Sequence, residues 1–160
     1  MTQLIPLSNI DRQRIDALLD DAFGTDRRGR TAYMLRTHAT AIDHLSFAYT
    51  DDGQLAGSIQ CWPVKIENAP LILVGPVAVA TSRQNQGIGG SLMNQMLGAL
   101  SDMDPPMVMI GDTEYYGRFG FASNGTSGWT LPGPWEPHRL LLRNPNNVTL
   151  PVHGMLAPMD

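Results

Sequence analysis

The pattern of hydrophobic and polar residues predicts a short strand at residues 2–7, followed by two helices. Ser8, with Asp11 three residues later, resembles a capping box, so we expect the first helix to begin there. Gly24 ends this helix. Residues 30–39 predict a second, short helix. The first helix has one apolar face, because its apolar residues recur at helical spacing: Ile15, Leu18, Leu19, Ala22 and Phe23.

A β-hairpin is predicted next along the chain. Apolar and polar residues alternate over residues 45–50, and the alternation continues over residues 55–61. Between them, Asp52-Gly53 is a strong turn signal, because this pair accepts the positive φ angles of a tight turn. Pro63 indicates the end of the return strand or a bulge in it.

The second half of the sequence predicts a buried strand, a helix and a further strand. Residues 71–79 are almost continuously apolar, as a central strand buried on both faces would be. A polar, glycine-rich turn follows at residues 82–90. Pro105-Pro106 ends the helix behind it, residues 107–110 form a strand, and residues 113–119 form a helical turn. The helix carries an apolar stripe: Ile88, Leu92, Met96, Leu97 and Leu100.

The predicted order of elements is β-α-α-β-β-β-α-β-α-β-β, which indicates a mixed α/β or α+β sheet. The chain has 160 residues, of which 42% are hydrophobic and 16% charged, so we expect a single domain over residues 1–160. The net charge of −4 argues against nucleic acid as a partner. We find no membrane segment and no signal peptide, so a cytoplasmic protein is predicted.

Two residue types limit the chemistry of this chain. Cys61 is the single cysteine, which excludes an internal disulfide framework and a multi-cysteine zinc site. The four histidines are too scattered along the sequence to indicate a metal site or a catalytic triad, so no metal is expected. We therefore look for the chemistry in the glycine-rich turn.

The turn between the buried strand and the following helix is suited to bind phosphate. The first turn of a helix offers unpaired N–H groups, and glycines let an anion approach the backbone. Arg83 could add a charge-assisted contact. A Walker A loop requires a lysine that the turn lacks, and a Rossmann fingerprint fails because Leu92 stands where its third glycine is required.

A third phosphate motif fits these residues. Gln84-x-x-Gly87-x-Gly89, preceded by an apolar strand, resembles motif A of the GNAT superfamily of acyl-CoA-dependent N-acetyltransferases. A second match lies one helix and one strand later, where Tyr116, Gly120 and Phe121 follow the Tyr-x-x-x-Gly-Phe pattern of that superfamily. The longer string Tyr-Tyr-x-Arg-Phe-Gly-Phe is similar to its YhbS-like branch.

The resemblance implies a GNAT fold, in which the fourth and fifth strands splay apart and acetyl-CoA lies between them. The strand would bind the pantetheine arm through its backbone, and the glycine-rich turn would bind the pyrophosphate. The residues so implied are Val77, Ala78, Val79, Gln84, Asn85, Gln86, Gly87, Ile88, Gly89 and Gly90.

The resemblance also implies direct transfer of the acetyl group to a primary amine. Tyr116 matches the family tyrosine that protonates the leaving CoA thiolate or donates a hydrogen bond to it. The alternative role for Tyr116 is that of a core aromatic closing the short helix. Its neighbour Tyr115 is expected to be structural.

Two departures from the family pattern leave parts of the site open. Met109 stands where many members have a cofactor-binding asparagine, and residues 71–79 contain no acid to act as general base. Asp112 and Glu114 are the candidate bases, although each also suits the first turn of a helix. These departures motivate a second hypothesis, a non-catalytic acyl-CoA-binding sensor or regulatory module.

The sequence does not select the acceptor, which could be a small-molecule amine or the amine of a protein. Arg27, Arg28 and Arg30 could bind an anionic acceptor or the 3′-phosphate of the cofactor, or face only water. Dimers are frequent in this superfamily, so a homodimer is one arrangement that the resemblance allows.

Overall fold

The structure is a computed structural model that describes residues 1–159, and the described residues form eight strands and four α-helices. The strands are β1 (Thr2–Pro6), β2 (Phe47–Asp51), β3 (Gln54–Ile66), β4 (Ala69–Val79), β5 (Met107–Ile110), β6 (Trp129–Thr130), β7 (Leu140–Arg143) and β8 (Gly154–Pro158). The helices are α1 (Arg12–Phe23), α2 (Thr31–Met34), α3 (Ile88–Gly98) and α4 (Thr113–Tyr116).

The strands form a mixed sheet, which confirms the predicted fold class. The order along the sheet is β1-β2-β3-β4-β5-β7, and β8 pairs with β3 and β6. The pairs β1–β2, β2–β3, β3–β8 and β5–β7 are antiparallel. The pair β4–β5 is parallel, with Ile72 opposite Met107 and Leu73 opposite Val108. A strand–helix–strand connection through α3 therefore joins two parallel neighbours.

Contacts between residues divide the chain into two compact units, each assembled from separate segments. The first unit contains Met1–Arg27, Ala41–Cys61 and Pro76–Ser101. The second contains Arg28–Thr40, Trp62–Gly75 and the chain from Asp102 onward. The glycine-rich turn belongs to the first unit and Tyr116 to the second. The prediction that residues 1–160 are one domain stays a prediction, and Asp160 lies outside the described residues.

The apolar stripes of α1 and α3 are buried in the first unit, as predicted. Leu18 and Leu19 of α1 pack with Ala78 of β4. On α3, Leu92 and Met96 are fully buried. Burial of these stripes positions both helices, because helices of this length are marginal in water without tertiary packing.

The first helix begins later than the sequence predicts. Its N-cap is Asp11, whose carboxylate accepts a hydrogen bond of 3.0 Å from the backbone N–H of Arg14. Ser8 lies instead in a separate 3₁₀ turn, Leu7–Asn9. Leu7 and Ile10 pack with Ala48 of β2, and burying both side chains keeps this short turn apart from α1. Gly24 follows the last residue of α1, as expected.

The predicted hairpin is confirmed, but its return strand is longer than expected. Asp52 and Gly53 have φ angles of +50° and +81°, as the predicted tight turn requires. The strand continues through Pro63 to Ile66, so the first of the two alternatives for Pro63, the end of the strand, is wrong. Pro63 lies between the residues that pair with β2, which end at Ile59, and those that pair with β8, which begin at Val64. Its missing N–H therefore removes no hydrogen bond from either of these two ladders.

Two helices are shorter than predicted. Only Thr31–Met34 of residues 30–39 is α-helical, and the chain then continues in tighter turns, with the N–H of Arg36 donating to the Tyr33 carbonyl at 3.2 Å. Similarly, α3 ends at Gly98, ahead of the prolines, where the N–H of Ala99 donates to the Met96 carbonyl at 3.1 Å. Within residues 1–159, no helix is long and apolar enough to cross a membrane.

The N-cap assignment leads to a test of stability. Replacing Asp11 by alanine removes the acceptor of the Arg14 N–H, so Asp11→Ala should lower the free energy of unfolding by about 1 kcal/mol. Ser8→Ala is the matched control, because Ser8 is exposed and caps no helix; its effect should stay within about 0.5 kcal/mol. Urea denaturation of both variants measures the difference. An equal loss in both would contradict the assignment.

Candidate functional site

The glycine-rich turn leads from β4 into the first turn of α3. After Val79 the chain forms a 3₁₀ turn, Thr81–Arg83, and Asn85 then adopts a φ angle of +63°. Gly87 is the N-cap of α3 with a φ angle of +78°, a conformation that favours glycine. Because Gly87 has no side chain, no side-chain cap covers the N–H groups that open the helix. These groups can bind an anion such as a phosphate.

The predicted binding residues occupy three different structural settings. Val77 and Val79 lie in β4, Gln84 lies in the loop that follows, and Gly89 and Gly90 lie in the first turn of α3. The side chain of Ile88 is buried, so only its backbone is placed to meet a ligand.

Gln84 stabilises the turn through its own side chain. Its amide Nε2 donates a hydrogen bond of 2.9 Å to the carbonyl of Val79. The N–H of Ala80 donates to the carbonyl of Ala56 at 2.9 Å, which attaches the end of β4 to β3. The glutamine of the motif thus holds the loop in shape.

Asp21 of α1 anchors the same turn, and sequence reasoning missed it. Its carboxylate accepts hydrogen bonds from the backbone N–H of Thr81 at 2.9 Å and from the Thr81 hydroxyl at 3.0 Å. Asp21 is 60 residues away in sequence and resembles any polar residue on the outer face of a helix. No sequence signal distinguishes it, since only folding brings it to the turn.

Arg83 is already engaged within the first unit. Its Nη2 lies 3.1 Å from a carboxylate oxygen of Asp51, and its Nε donates to the side-chain oxygen of Gln86 at 2.9 Å. A phosphate would therefore share this guanidinium with two protein partners.

In the second unit, Tyr116 packs against the turn that follows β5. The backbone N–H of Tyr116 donates to the carbonyl of Asp112 at 2.9 Å, which closes α4. A Cβ atom on Gly111 would lie 2.7 Å from both Cδ2 and Cε2 of the Tyr116 ring. Only glycine fits at this close approach. The ring also meets Tyr115 edge-on, with 4.8 Å between the ring centroids.

The surroundings of Tyr116 favour its neutral form. Burial raises the pKa of the phenol above 10.0, Tyr115 and Asp112 raise it further, and Arg139 lowers it. Tyr116 therefore carries its proton at neutral pH and can donate it or form a hydrogen bond. The stability that this shift in pKa contributes is present below pH 10.0 and is lost as the pH rises through the raised pKa of the folded state.

The two candidate bases lie at the start of α4. Asp112 occupies the N-cap position, but its side chain makes no capping hydrogen bond. One of its carboxylate oxygens instead accepts a hydrogen bond of 3.1 Å from Nε of Arg139. Glu114 is exposed in the first turn of the helix. The structure thus leaves Glu114 on the surface and gives Asp112 a cationic partner.

Of the basic residues near the N-terminus, Arg27 has a structural role. It is only 5% exposed, and it pairs with Asp20 at 3.0 Å and with Asp16 at 3.3 Å. The expectation that Arg27 binds an external anion or faces water is therefore wrong, because two carboxylates of α1 already enclose it. Arg36 of the second unit lies over an aromatic ring, 4.3 Å from the centroid of Tyr33.

The family of this chain follows from comparison with known proteins. The sequence profile described as "Acetyltransferase (GNAT) domain" matches residues 3–123. A curated relative, the uncharacterized N-acetyltransferase YhbS of Escherichia coli, is 34% identical over an alignment of 149 residues that covers 88% of each chain. The chain belongs to the GNAT acetyltransferase family.

Solved structures show the same fold. The N-acetyltransferase YhbS of Escherichia coli, solved in complex with CoA, matches with a TM-score of 0.73 and 24% identity, covering 99% of this chain and 89% of that one. A GNAT family acetyltransferase from Brucella melitensis, in complex with acetyl-CoA, matches with a TM-score of 0.69 and 24% identity, covering 99% and 96%. The predicted GNAT fold is thus confirmed.

The close approach at Gly111 generates a second prediction. Gly111→Ala should lower the free energy of unfolding by about 1–3 kcal/mol, because the added methyl group must displace the Tyr116 ring. The displaced phenol should also ionise at a lower pH, since it loses burial. Gly117→Ala is the matched control, because a Cβ atom added there would have nothing within 4 Å. Urea denaturation and tyrosinate absorbance measure both effects, and equal behaviour of the two variants would refute the packing argument.

Proposed function

We propose that this protein is an N-acetyltransferase that moves the acetyl group of acetyl-CoA directly to a primary amine. The observation that carries the proposal is the uncapped start of α3, where Gly87 leaves backbone N–H groups for a phosphate. Membership in the GNAT family supports it, as do the two structures of similar fold that contain CoA or acetyl-CoA.

The proposed cofactor-binding residues come from the end of β4 and from the glycine-rich turn that follows it. Acetyl-CoA supplies the activated acetyl group. The backbone of residues 77–79 would bind the pantetheine arm. Residues 84–90 would bind the pyrophosphate, with the N–H groups of Ile88, Gly89 and Gly90 directed to its oxygens and Gln84 holding the loop through Val79.

Tyr116 is the proposed catalytic residue. The acceptor amine attacks the thioester carbonyl, the carbon–sulfur bond breaks, and Tyr116 gives its proton to the leaving thiolate. Its neutral state at physiological pH suits this role, because the raised pKa keeps the proton on the phenol until the thiolate forms.

The amine must lose a proton before or during its attack. Asp112 and Glu114 are the proposed candidates for the group that accepts it.

We propose a small-molecule or protein amine as the acceptor, a cytoplasmic location and a reaction without a metal ion. Among residues 1–159, no group of three or more potential ligands is placed to hold such an ion. The alternative of a non-catalytic sensor gains no support, since the curated relative is named an N-acetyltransferase.

The proposed function is tested first by cofactor binding and thiol release. Acetyl-CoA and CoA, but not ATP or NAD, should raise the melting temperature; a ligand at 100 times its dissociation constant contributes about 2.7 kcal/mol. A panel of amines should then release free thiol from acetyl-CoA. Absence of stabilisation by both acetyl-CoA and CoA, or of thiol release with every amine, would reject the proposal.

The role of Tyr116 is tested by removing a single oxygen. Tyr116→Phe should lower kcat about a hundredfold, because the thiolate loses its proton donor, while the affinity for acetyl-CoA stays nearly unchanged. Tyr115→Phe is the control, since it removes the neighbouring hydroxyl and should retain kcat. Unchanged turnover in Tyr116→Phe would show that this tyrosine only packs.

The anchor at Asp21 generates a prediction for cofactor affinity. Asp21→Ala removes both hydrogen bonds to Thr81, so the turn loosens and the KM for acetyl-CoA should rise about threefold to tenfold with little change in kcat. Asp16→Ala is the control on the same helix, because the contact of Asp16 is with Arg27 and not with Thr81. A similar rise of KM in both variants would mean that the affinity for acetyl-CoA depends on α1 in general rather than on the hydrogen bonds between Asp21 and Thr81.

A further inference from the structure

Arg139 connects the turn after β5 to the start of β7 by two hydrogen bonds. Its carbonyl accepts the N–H of Gly111 at 2.9 Å, and its Nε donates to the carboxylate of Asp112 at 3.1 Å. Gly111 is the residue against which the Tyr116 ring lies, and the carbonyl of Asp112 accepts the N–H of Tyr116. Arg139 is thus hydrogen-bonded to both of the residues that contact Tyr116 here.

We propose that Arg139 is a positioning residue that fixes the Tyr116 phenol and adjusts how readily it gives up its proton. The inference deepens the proposed function and rests on it for the role of Tyr116. Arg139 lies beyond residues 3–123, the part that the family profile matches, so the proposal comes from the contacts of this chain.

The charges around Tyr116 have opposite effects on its proton. Three groups act on the pKa of the phenol: Tyr115 and Asp112 favour the protonated form, whereas Arg139 favours the tyrosinate. The carboxylate and the guanidinium are paired with each other, and both are partly exposed, with 66% and 38% of their side-chain surface open to solvent. Such an exposed pair stabilises a fold little, but it holds a positive charge at Asp112, whose carbonyl accepts the N–H of Tyr116.

This arrangement matters for an acid that must release its proton. Burial raises the pKa of the phenol, and so it opposes transfer of the proton to a thiolate. The positive charge of Arg139 offsets part of that effect, because it stabilises the tyrosinate that transfer leaves behind. The negative charge of Asp112 has the opposite effect, because it destabilises the tyrosinate.

Two variants, each of which replaces one charged side chain by an uncharged one, distinguish the proposed effect on the Tyr116 proton from simple structural support. Arg139→Gln and Asp112→Asn each break the same ion pair, so a purely structural role predicts the same effect in both. Our proposal predicts opposite effects: the pH at which Tyr116 ionises should rise in Arg139→Gln and fall in Asp112→Asn. Ultraviolet absorbance of tyrosinate measures this pH, and the signal missing from Tyr116→Phe assigns it to Tyr116.

Turnover should also change in Arg139→Gln. We expect kcat to fall about threefold in this variant, because the phenol becomes a weaker acid. Arg139→Lys keeps the charge and should recover part of the loss, with the KM for acetyl-CoA unchanged throughout. Arg118→Gln is the matched control, since it removes another exposed arginine, one that lies over Tyr115 at 4.5 Å and is not among the groups acting on Tyr116. It should leave the titration of Tyr116 unchanged.

Titration shifts in the same direction, or none in either variant, would overturn the inference. Where Tyr116→Phe lowers kcat, an unchanged kcat in Arg139→Gln would also overturn it, because the charge of Arg139 would then have no effect on proton transfer. The titration needs no turnover, so its result is independent of the proposed reaction. If Tyr116→Phe kept full activity while the two variants shifted the titration in opposite directions, the electrostatic role of Arg139 would stand and the role of Tyr116 as proton donor would fail.

Discussion

The backbone N–H groups at the start of α3 point out of the helix with no side-chain acceptor, and the first unit is organised to keep them there. Burial of Leu92 and Met96 positions the helix. Asp21 holds the 3₁₀ turn ahead of it, and Gln84 ties the loop to Val79. An anion site made of backbone depends on such supports, since N–H groups converge on a ligand only while the loop keeps its shape.

In the second unit, close packing and charge act together on one phenol. A Cβ on Gly111 would lie 2.7 Å from the ring of Tyr116, so the identity of residue 111 determines where the ring can lie. Burial then raises the pKa, and the ion pair between Asp112 and Arg139 adds two charges of opposite effect. The position of the phenol and its affinity for the proton are thus determined by the same short turn.

The arginines of this chain differ in function although the sequence groups several of them together. Arg27 is enclosed by two carboxylates of α1, and Arg83 is shared between Asp51 and Gln86. Arg36 stacks on aromatic rings, at 4.9 Å from that of Trp62. Arg139 pairs with Asp112 at 3.1 Å. A guanidinium offers both a flat face and several donors, so its role depends on its neighbours rather than on its charge.

The sequence by itself determined the order of elements as far as α4, the mixed sheet, and the two motifs that place the chain in its family; it predicted two strands after α4, where the structure has three. These features depend on local periodicity, on glycine at the start of α3 and on the spacing from Gln84 to Gly89, all of which are readable in one dimension. Local signals failed where tertiary packing competes with them. Ser8 has the residue type of a cap, but burial of Leu7 and Ile10 places the helix start at Asp11.

The supports of the candidate site were decided only by the tertiary structure. Asp21 reaches Thr81 across 60 residues, and Arg139 reaches Asp112 across 27. Each is an ordinary polar residue in its local sequence, and each acquires its role from a partner that folding brings within 3.1 Å. Sequence pattern reports the spacing of neighbours along the chain, whereas hydrogen bonds and charge effects depend on distance in space.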